Sequence, residues 1–376
     1  MGRLRSVRSL AWFVLLAACG RAGFEPRVRS DAPLDAADDA PVVPDASIDA
    51  PPPANRVFAT SGTYPGNLGG LAGADAKCAA AATAGGLPGT FVAFLSTSTF
   101  DARDRLAGSR GWVRVDGAPV ADTVASMLAG VVFNPIDLDE AGTRFAGLAD
   151  TWTGSQATGV VLPGAACADW TVTTGSGQMG YAHYGPPAGV AFSTFPCATA
   201  YHLYCFEVGH TTPVAPTRSA TRFAFVSSPR TSPGLAALDT LCQQEATAAS
   251  LPGTYRAAVA TTTTTIAARF TGTDWQRPDG TPVSVAGNAL FDPIDQRSFI
   301  HQKADGTYLV GPTVFTGATG PSVVGTPALT CNDWVDVTTA AITAGGGKPS
   351  LLHNGYMWGL QSLACNSAAA VICLQE

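Results

Sequence analysis

Nine cysteines are the residues of this chain whose spacing carries chemistry. Eight fall into two sets of four: Cys78, Cys167, Cys197 and Cys205, then Cys242, Cys331, Cys365 and Cys373. First to second is 89 residues in both sets and third to fourth is 8 in both, while the middle interval is 30 in one and 34 in the other. An even number of thiols at a repeated spacing reads as oxidation to disulfides outside the cytosol. Four thiols allow three pairings per set, and spacing leaves that choice open. No other reactive constellation accompanies them. There is no Gly-x-Ser-x-Gly, no His-Glu-x-x-His, no P-loop and no dinucleotide fingerprint, so the chain reads as a non-enzyme. The five histidines (His183, His202, His210, His301, His353) show no ligand spacing, and neither a metal nor another cofactor is expected. Asn134-Pro135-Ile136-Asp137 and Asp292-Pro293-Ile294-Asp295 hold oxygen ligands of the kind calcium takes, but read as turns.

The residues around the cysteines repeat as well. Leu87-Pro88-Gly89-Thr90 and Leu251-Pro252-Gly253-Thr254 each begin nine residues past the first cysteine of their set, and Arg105 and Arg269 each lie 27 past it. Trp112 with Asp116-Gly117 answers Trp275 with Asp279-Gly280. Cys167-Ala168-Asp169-Trp170 answers Cys331-Asn332-Asp333-Trp334, and the two Asx-Pro-Ile-Asp stretches read as counterparts. A period near 165 residues is too long for a solenoid and means two duplicated domains, 55–208 and 221–376, joined by a linker over 209–220. Within a copy, the Ala-rich run Ala72 to Ala84 reads as a helix stopped by Gly85-Gly86, with a counterpart from about Leu235 to Ser250. Phe91 to Leu95 reads as a buried strand, and short strands between Gly, Pro, Asp and Thr turns follow. The fold class is α+β.

Ahead of the repeats, Arg3, Arg5 and Arg8 precede a short apolar run from Leu10 to Leu16, too short to span a bilayer and typical of a signal peptide over 1–18. Leu16-Ala17-Ala18-Cys19 resembles the bacterial lipobox, which implies lipidation of Cys19 and a membrane tie through that lipid. Residues 19–54 are rich in Pro, Ala and Asp, with little apolar side chain to offset ordering entropy, and read as a disordered tether. The formal net charge is −6 and no long basic tract occurs, which argues against nucleic acid as a partner.

Gly66-Asn67-Leu68-Gly69-Gly70-Leu71-Ala72-Gly73-Ala74-Asp75-Ala76-Lys77-Cys78 and Gly86-Leu87-Pro88-Gly89-Thr90-Phe91-Val92-Ala93-Phe94-Leu95-Ser96 closely resemble the opening of endostatin, the C-terminal domain of certain collagens. Trp152-Thr153-Gly154, Cys167-Ala168-Asp169-Trp170 and Tyr204-Cys205-Phe206-Glu207 follow in the same order. An uncharacterised domain of bacterial surface lipoproteins is similar. The likeness covers the first copy and, more faintly, the second. It implies a C-type-lectin-like fold in each copy, with nested disulfides: Cys78–Cys205 around Cys167–Cys197, and Cys242–Cys373 around Cys331–Cys365. Two features of endostatin meet different residues here. The stretch matching its zinc-binding arm, 54–60, has no histidine. Its heparan-sulfate-binding arginines correspond to Arg103, Arg105, Arg110 and Arg114, which alternate with Asp101, Asp104 and Asp116. The recurrence of Arg105 as Arg269 points instead to an arginine paired with a carboxylate.

The segment between the second and third cysteines differs most between copies. Tyr181, His183, Tyr184 and Phe192 in the first, and His353, Tyr356, Met357 and Trp358 in the second, sit among glycines. Aromatic rings on such loops suit stacking on sugars or partner proteins, and suit a core equally. Tyr181, His183, Tyr184, Tyr356 and Trp358 are the candidate ligand surface. The expectation is a lipid-anchored protein of the outer membrane or cell surface that binds an extracellular glycan or protein. The alternatives are a structural envelope protein and an enzyme of unfamiliar type. Labelled palmitate should enter the wild-type chain in a bacterial host and not Cys19→Ala; equal incorporation in both removes the lipid anchor.

Overall fold

The computed structural model describes residues 53–376, apart from residues 186, 219–220, 232–233, 285–286, 288–289, 292–295, 337, 339–342, 353–355 and 360, and without the side chains of 343, 344 and 356. Cys19, the leader and the tether up to residue 52 lie outside the described residues, as do His353 and Asp292-Pro293-Ile294-Asp295.

The first copy runs β1 (Asn55–Ala59), α1 (Gly70–Ala84), β2 (Thr90–Ala93), β3 (Trp112–Arg114), β4 (Pro119–Ala121), α2 (Val124–Leu128), β5 (Asp150–Trp152), α3 (Cys167–Trp170), β6 (Ser176–Tyr181), β7 (Ser193–Pro196) and β8 (His202–Val208). Its strands are ordered β4-β3-β1-β8-β5-β6-β7, with β2 also on β8, so the first and last strands are antiparallel neighbours at the centre. The second copy repeats this with β9 (Arg222–Val226), α4 (Leu235–Ala248), β10 (Tyr255–Ala257), β11 (Trp275–Gln276), β12 (Val314–Phe315), α5 (Cys331–Trp334), β13 (Thr343–Gly347), α6 (Tyr356–Gly359), β14 (Gln361–Ala364) and β15 (Ala370–Gln375). Its order is β11-β9-β15-β12-β13-β14, with β10 on β15. Both copies are α+β.

Helix α1 starts two residues before the Ala-rich run suggests, and α4 ends two residues earlier. Each shows a narrow buried stripe at helical spacing, Ala74/Cys78/Ala82 and Leu238/Cys242/Ala246, which lays the helix against its sheet. The disulfides are nested: Cys78–Cys205 and Cys242–Cys373 tie each helix to its last strand, and Cys167–Cys197 and Cys331–Cys365 close shorter loops. By chain entropy, a bridge closing so long a loop as the first contributes about 4–5 kcal/mol. Beside it, the Asp75 carboxylate accepts from Ala93 N at 2.9 Å and pairs with Arg105 at 2.6 Å; Asp239 does the same with Ala257 N and Arg269. The other arginines of the first copy are engaged too: Arg103 with Asp101, Arg110 with Asp122, Arg114 with Asp116 and Asp137. They are braces, not an open basic patch.

In α3 and α5 the backbone turns the wrong way. Cys167, Ala168, Asp169 and Trp170 have φ of 47°, 46°, 56° and 65°, and Cys331 to Trp334 have 51°, 53°, 54° and 72°. Each is one left-handed turn, which costs L-residues roughly 1–2 kcal/mol apiece. Its holders are the same in both copies. Asp169 accepts from Ser98 N and Oγ at 2.6 and 2.7 Å, and Asp333 from Thr262 N and Oγ1 at 2.7 Å each. The buried indoles of Trp170 and Trp334 donate to Ser96 O and Ala260 O. A Cβ on Gly154 or Gly317 would stand 2.7 Å from those indoles, so glycine is required at both positions.

Loops on the opposite side of each sheet meet. One continuous apolar core runs from Trp112, Met127 and Phe206 of the first copy to Trp275, Phe291 and Trp358 of the second. Backbone joins the copies where Gly185 N donates to Ser350 O and Leu352 N to His183 O. Arg277 donates to Val132 O at 3.1 Å, Arg144 to Gln296 O at 2.7 Å, and Ser298 to Phe133 O.

This joint corrects one sequence equivalence. Phe145 N bonds Asp137 O as Leu309 N bonds His301 O, and Ala59 N bonds Leu138 O as Val226 N bonds Gln302 O. The counterpart of Asp137 is therefore His301, 164 residues on like the second cysteine, and not Asp295. Where Asp137 is wholly buried between Arg114 and Arg144, His301 receives a bond from Arg277 at 3.0 Å. Guanidinium can only donate, so His301 Nδ1 is unprotonated and Nε2–H donates to Gly130 O of the first copy at 3.2 Å. Burial, then Arg277, depresses the His301 pKa to about 3. In the unfolded chain the ring takes its proton near its ordinary 6.5, so the stability from a neutral His301 is present above that pH and is lost as pH falls towards 3. Urea unfolding from about pH 7 to about pH 4 should cost the wild type more than His301→Gln. Parallel losses in the two proteins exclude this contribution.

Candidate functional site

Duplication makes each copy a control for the other. Residues the shared fold demands recur in both; a residue present in one copy alone serves either that copy's own packing, as Asp137 does, or a function. The four disulfides, the Asp75/Asp239 braces and the left-handed turns belong to the first kind.

The rim at the ends of β5, β6, β7 and β8 belongs to the second. Register sets Asp150 opposite Tyr181 on β6 and level with Tyr201 just before β8. Tyr181 packs on Phe192 at 4.4 Å and on Tyr184 at 4.9 Å between centroids, while Phe195 lies 5.7 Å from Tyr201. Tyr64 pairs by backbone with Tyr201 and carries Lys77 over its ring at 5.1 Å. Phe192 is 51% exposed, and Tyr181, Phe195, Tyr64 and Asp150 are partly exposed. The strand registers place Thr313, Lys348, Ala369, Arg230 and Leu363 where the first copy has Asp150, Tyr181, Tyr201, Tyr64 and Phe195. Aromatic and acidic on one copy, the same positions carry neither ring nor acid on the other, and two of them are basic.

The titratable groups of the cluster sense one another. Burial raises the Asp150 pKa, and His202 opposes this. Burial, then Asp150 and then Tyr181, pushes the Tyr201 hydroxyl up to about 12, so it stays a donor at neutral pH. The His202 ring packs, tilted, on Phe145 at 4.7 Å and its Nδ1 lies 2.6 Å from Thr60 O.

The sequence-selected residues divide. Tyr181 lies on the rim and Tyr184, 9% exposed, backs it. His183, 4% exposed, faces inward, its carbonyl bonded to Leu352 across the joint. Trp358, 2% exposed, packs on Phe291 at 5.7 Å inside the shared core. The side chain of Tyr356 lies outside the described residues. The five do not form one exposed surface, because the aromatic-rich loops are what the copies bury against each other. Asp150, Tyr201, Phe195 and Tyr64 escaped sequence reading. Their signal was the loss of aromatic character at the matching positions of the second copy.

Other features carry less chemistry. An apolar cavity of about 30 Å³ beside Met127, Ile136 and Tyr204 has room for about one water, against the several hundred Å³ usual for small-molecule sites. The hollow beside Ser98 and Pro163 contains Asp169, whose two oxygens are already bonded to Ser98. Among the described residues no group of three or more His, Cys, Asp or Glu is placed to hold a metal. No protein-family model matches the chain. Nor does any curated protein.

Phe192→Ala should leave stability within about 0.5 kcal/mol of wild type, whereas Trp358→Ala should cost about 3–5 kcal/mol. Urea denaturation measures both, and the opposite ranking reverses the assignment of surface and core.

Proposed function

We propose that this chain is a lipid-anchored cell-surface protein of two tandem endostatin-like, C-type-lectin-like domains, which binds an extracellular glycan or protein through the rim of its first copy. Four disulfides belong to an oxidising compartment outside the cytosol. Among the described residues no helix is long and apolar enough to cross a membrane, and in this reading the lipid on Cys19 holds the chain at the surface. The nested pairing agrees with the lectin-like reading.

One observation carries the binding role. An exposed aromatic ring of the first copy stands among a carboxylate and further rings whose counterparts in the second copy carry neither ring nor acid. Exposed rings of this kind stack on pyranose faces or on partner side chains. Fragment 53–376 on arrays of glycans and matrix proteins should give a saturable hit that weakens tenfold or more in Phe192→Ala. A hit that Phe192→Ala leaves unchanged moves the site elsewhere. No hit on either array favours a structural envelope role.

A further inference from the structure

Within that role, we infer that the rim takes a cationic amino sugar, its ammonium against the Asp150 carboxylate and its apolar face on Phe192 and Tyr181. The inference rests on the rim being the binding site.

Asp150 is the anomaly. The other inward-facing carboxylates have donors: Asp75 has Arg105, Asp137 has Arg114, Asp169 has Ser98, and Glu207 accepts from Arg56 N at 2.8 Å. Asp150 is partly buried at the head of β5, yet among the described residues no hydrogen bond or salt bridge reaches its carboxylate. The charged and titratable groups that sense it are His202, Tyr201 and Tyr204. Burying an anion with no hydrogen-bond donor, and only His202 as a nearby counter-charge, is unfavourable. The framework common to the two copies does not need it, since the same position in the second copy is the uncharged Thr313 and His202 gives way to Ala370. A carboxylate of this kind is set up for a donor that arrives from outside.

Its surroundings narrow the class of that donor. Tyr181 and Tyr201 flank the carboxylate, and aromatic faces attract organic cations. Phe192, half exposed and packed on Tyr181, offers the flat apolar platform that suits the C–H face of a pyranose. An ammonium on that sugar then meets a carboxylate in a partly dehydrated site, where a charge-assisted bond is strong. At the matching rim of the second copy, Arg230 and Lys348 would repel the same ligand. One site per chain follows.

Calorimetric titration of fragment 53–376 with glucosamine oligomers and with N-acetylglucosamine oligomers, at about pH 6, tests this. The glucosamine oligomer should bind about tenfold tighter or more. Asp150→Asn should erase that preference, Phe192→Ala should weaken both ligands, and Tyr181→Lys, which copies the second repeat, should abolish glucosamine binding. Salt should weaken the wild-type preference. Thermal unfolding of each variant close to wild type confirms that folding is unaffected. Equal binding of both oligomers, or a preference that survives Asp150→Asn, overturns the ammonium contact and leaves the binding role standing. If neither oligomer binds but the arrays give a hit lost in Phe192→Ala, the sugar class is wrong and the rim is still the site. If the arrays are blank as well, both readings fall together.

Discussion

Four successive left-handed residues are an expensive way to place a cysteine and a tryptophan, and each copy does it at the same point. A right-handed or extended path through Cys167 to Trp170 would send the indole and the thiol in other directions. The indole must reach Ser96 O beneath the glycine of Gly154, and the thiol must reach Cys197. The cost, roughly 4–8 kcal/mol per turn, is offset by a disulfide, a buried indole with its hydrogen bond and a two-bond carboxylate clamp. Strained backbone often marks a functional site. Here both oxygens of Asp169 and Asp333 face protein donors, so the strain serves the fold.

Once the helix faces of the two sheets are closed by those turns and by the long disulfides, each copy still has an apolar face to cover. Loops of both copies cover it together: Val132, Ala182 and Val190 of the first and Phe299, Ile300 and Leu352 of the second belong to one buried core. Its polar fringe is tuned to the same end. Arg114 has Asp137 in the first copy, while Arg277 has a neutral histidine that hands the bond on to Gly130 O next door. The joint also explains why loops rich in glycine and aromatics are buried. Glycine lets backbones approach, as where Gly185 bonds Ser350, and the rings fill what remains.

Much of this was legible in the residues. The cysteine intervals disclosed the duplication, the Ala-rich run the helix, and the recurrence of Arg105 as Arg269 a structural pairing, which Asp75 and Asp239 supply. Local likeness misled at the Asx-Pro-Ile-Asp stretches. Asp137 and Asp295 match in type, but hydrogen bonding sets His301 opposite Asp137. Short motifs recur by composition, whereas a turn's partner is set by the strands that flank it. The aromatic residues were the other ambiguity. Tyr181 and Trp358 look alike in sequence, and one lies on a rim while the other fills a core.

Spacing along the chain therefore determined the number of copies, the α+β class, the oxidised thiols and the bulk of each repeat's framework. Those features rest on periodicity and on residues repeated at a constant interval, and both survive in one dimension. Tertiary structure alone decided the nested pairing, the handedness of the Cys-x-x-Trp turns, the shared core and the setting of Asp150 among Tyr181 and Tyr201. Each of these depends on contacts between residues tens to hundreds of positions apart. No local preference encodes such a contact, because its energy exists only after the strands between have found their neighbours.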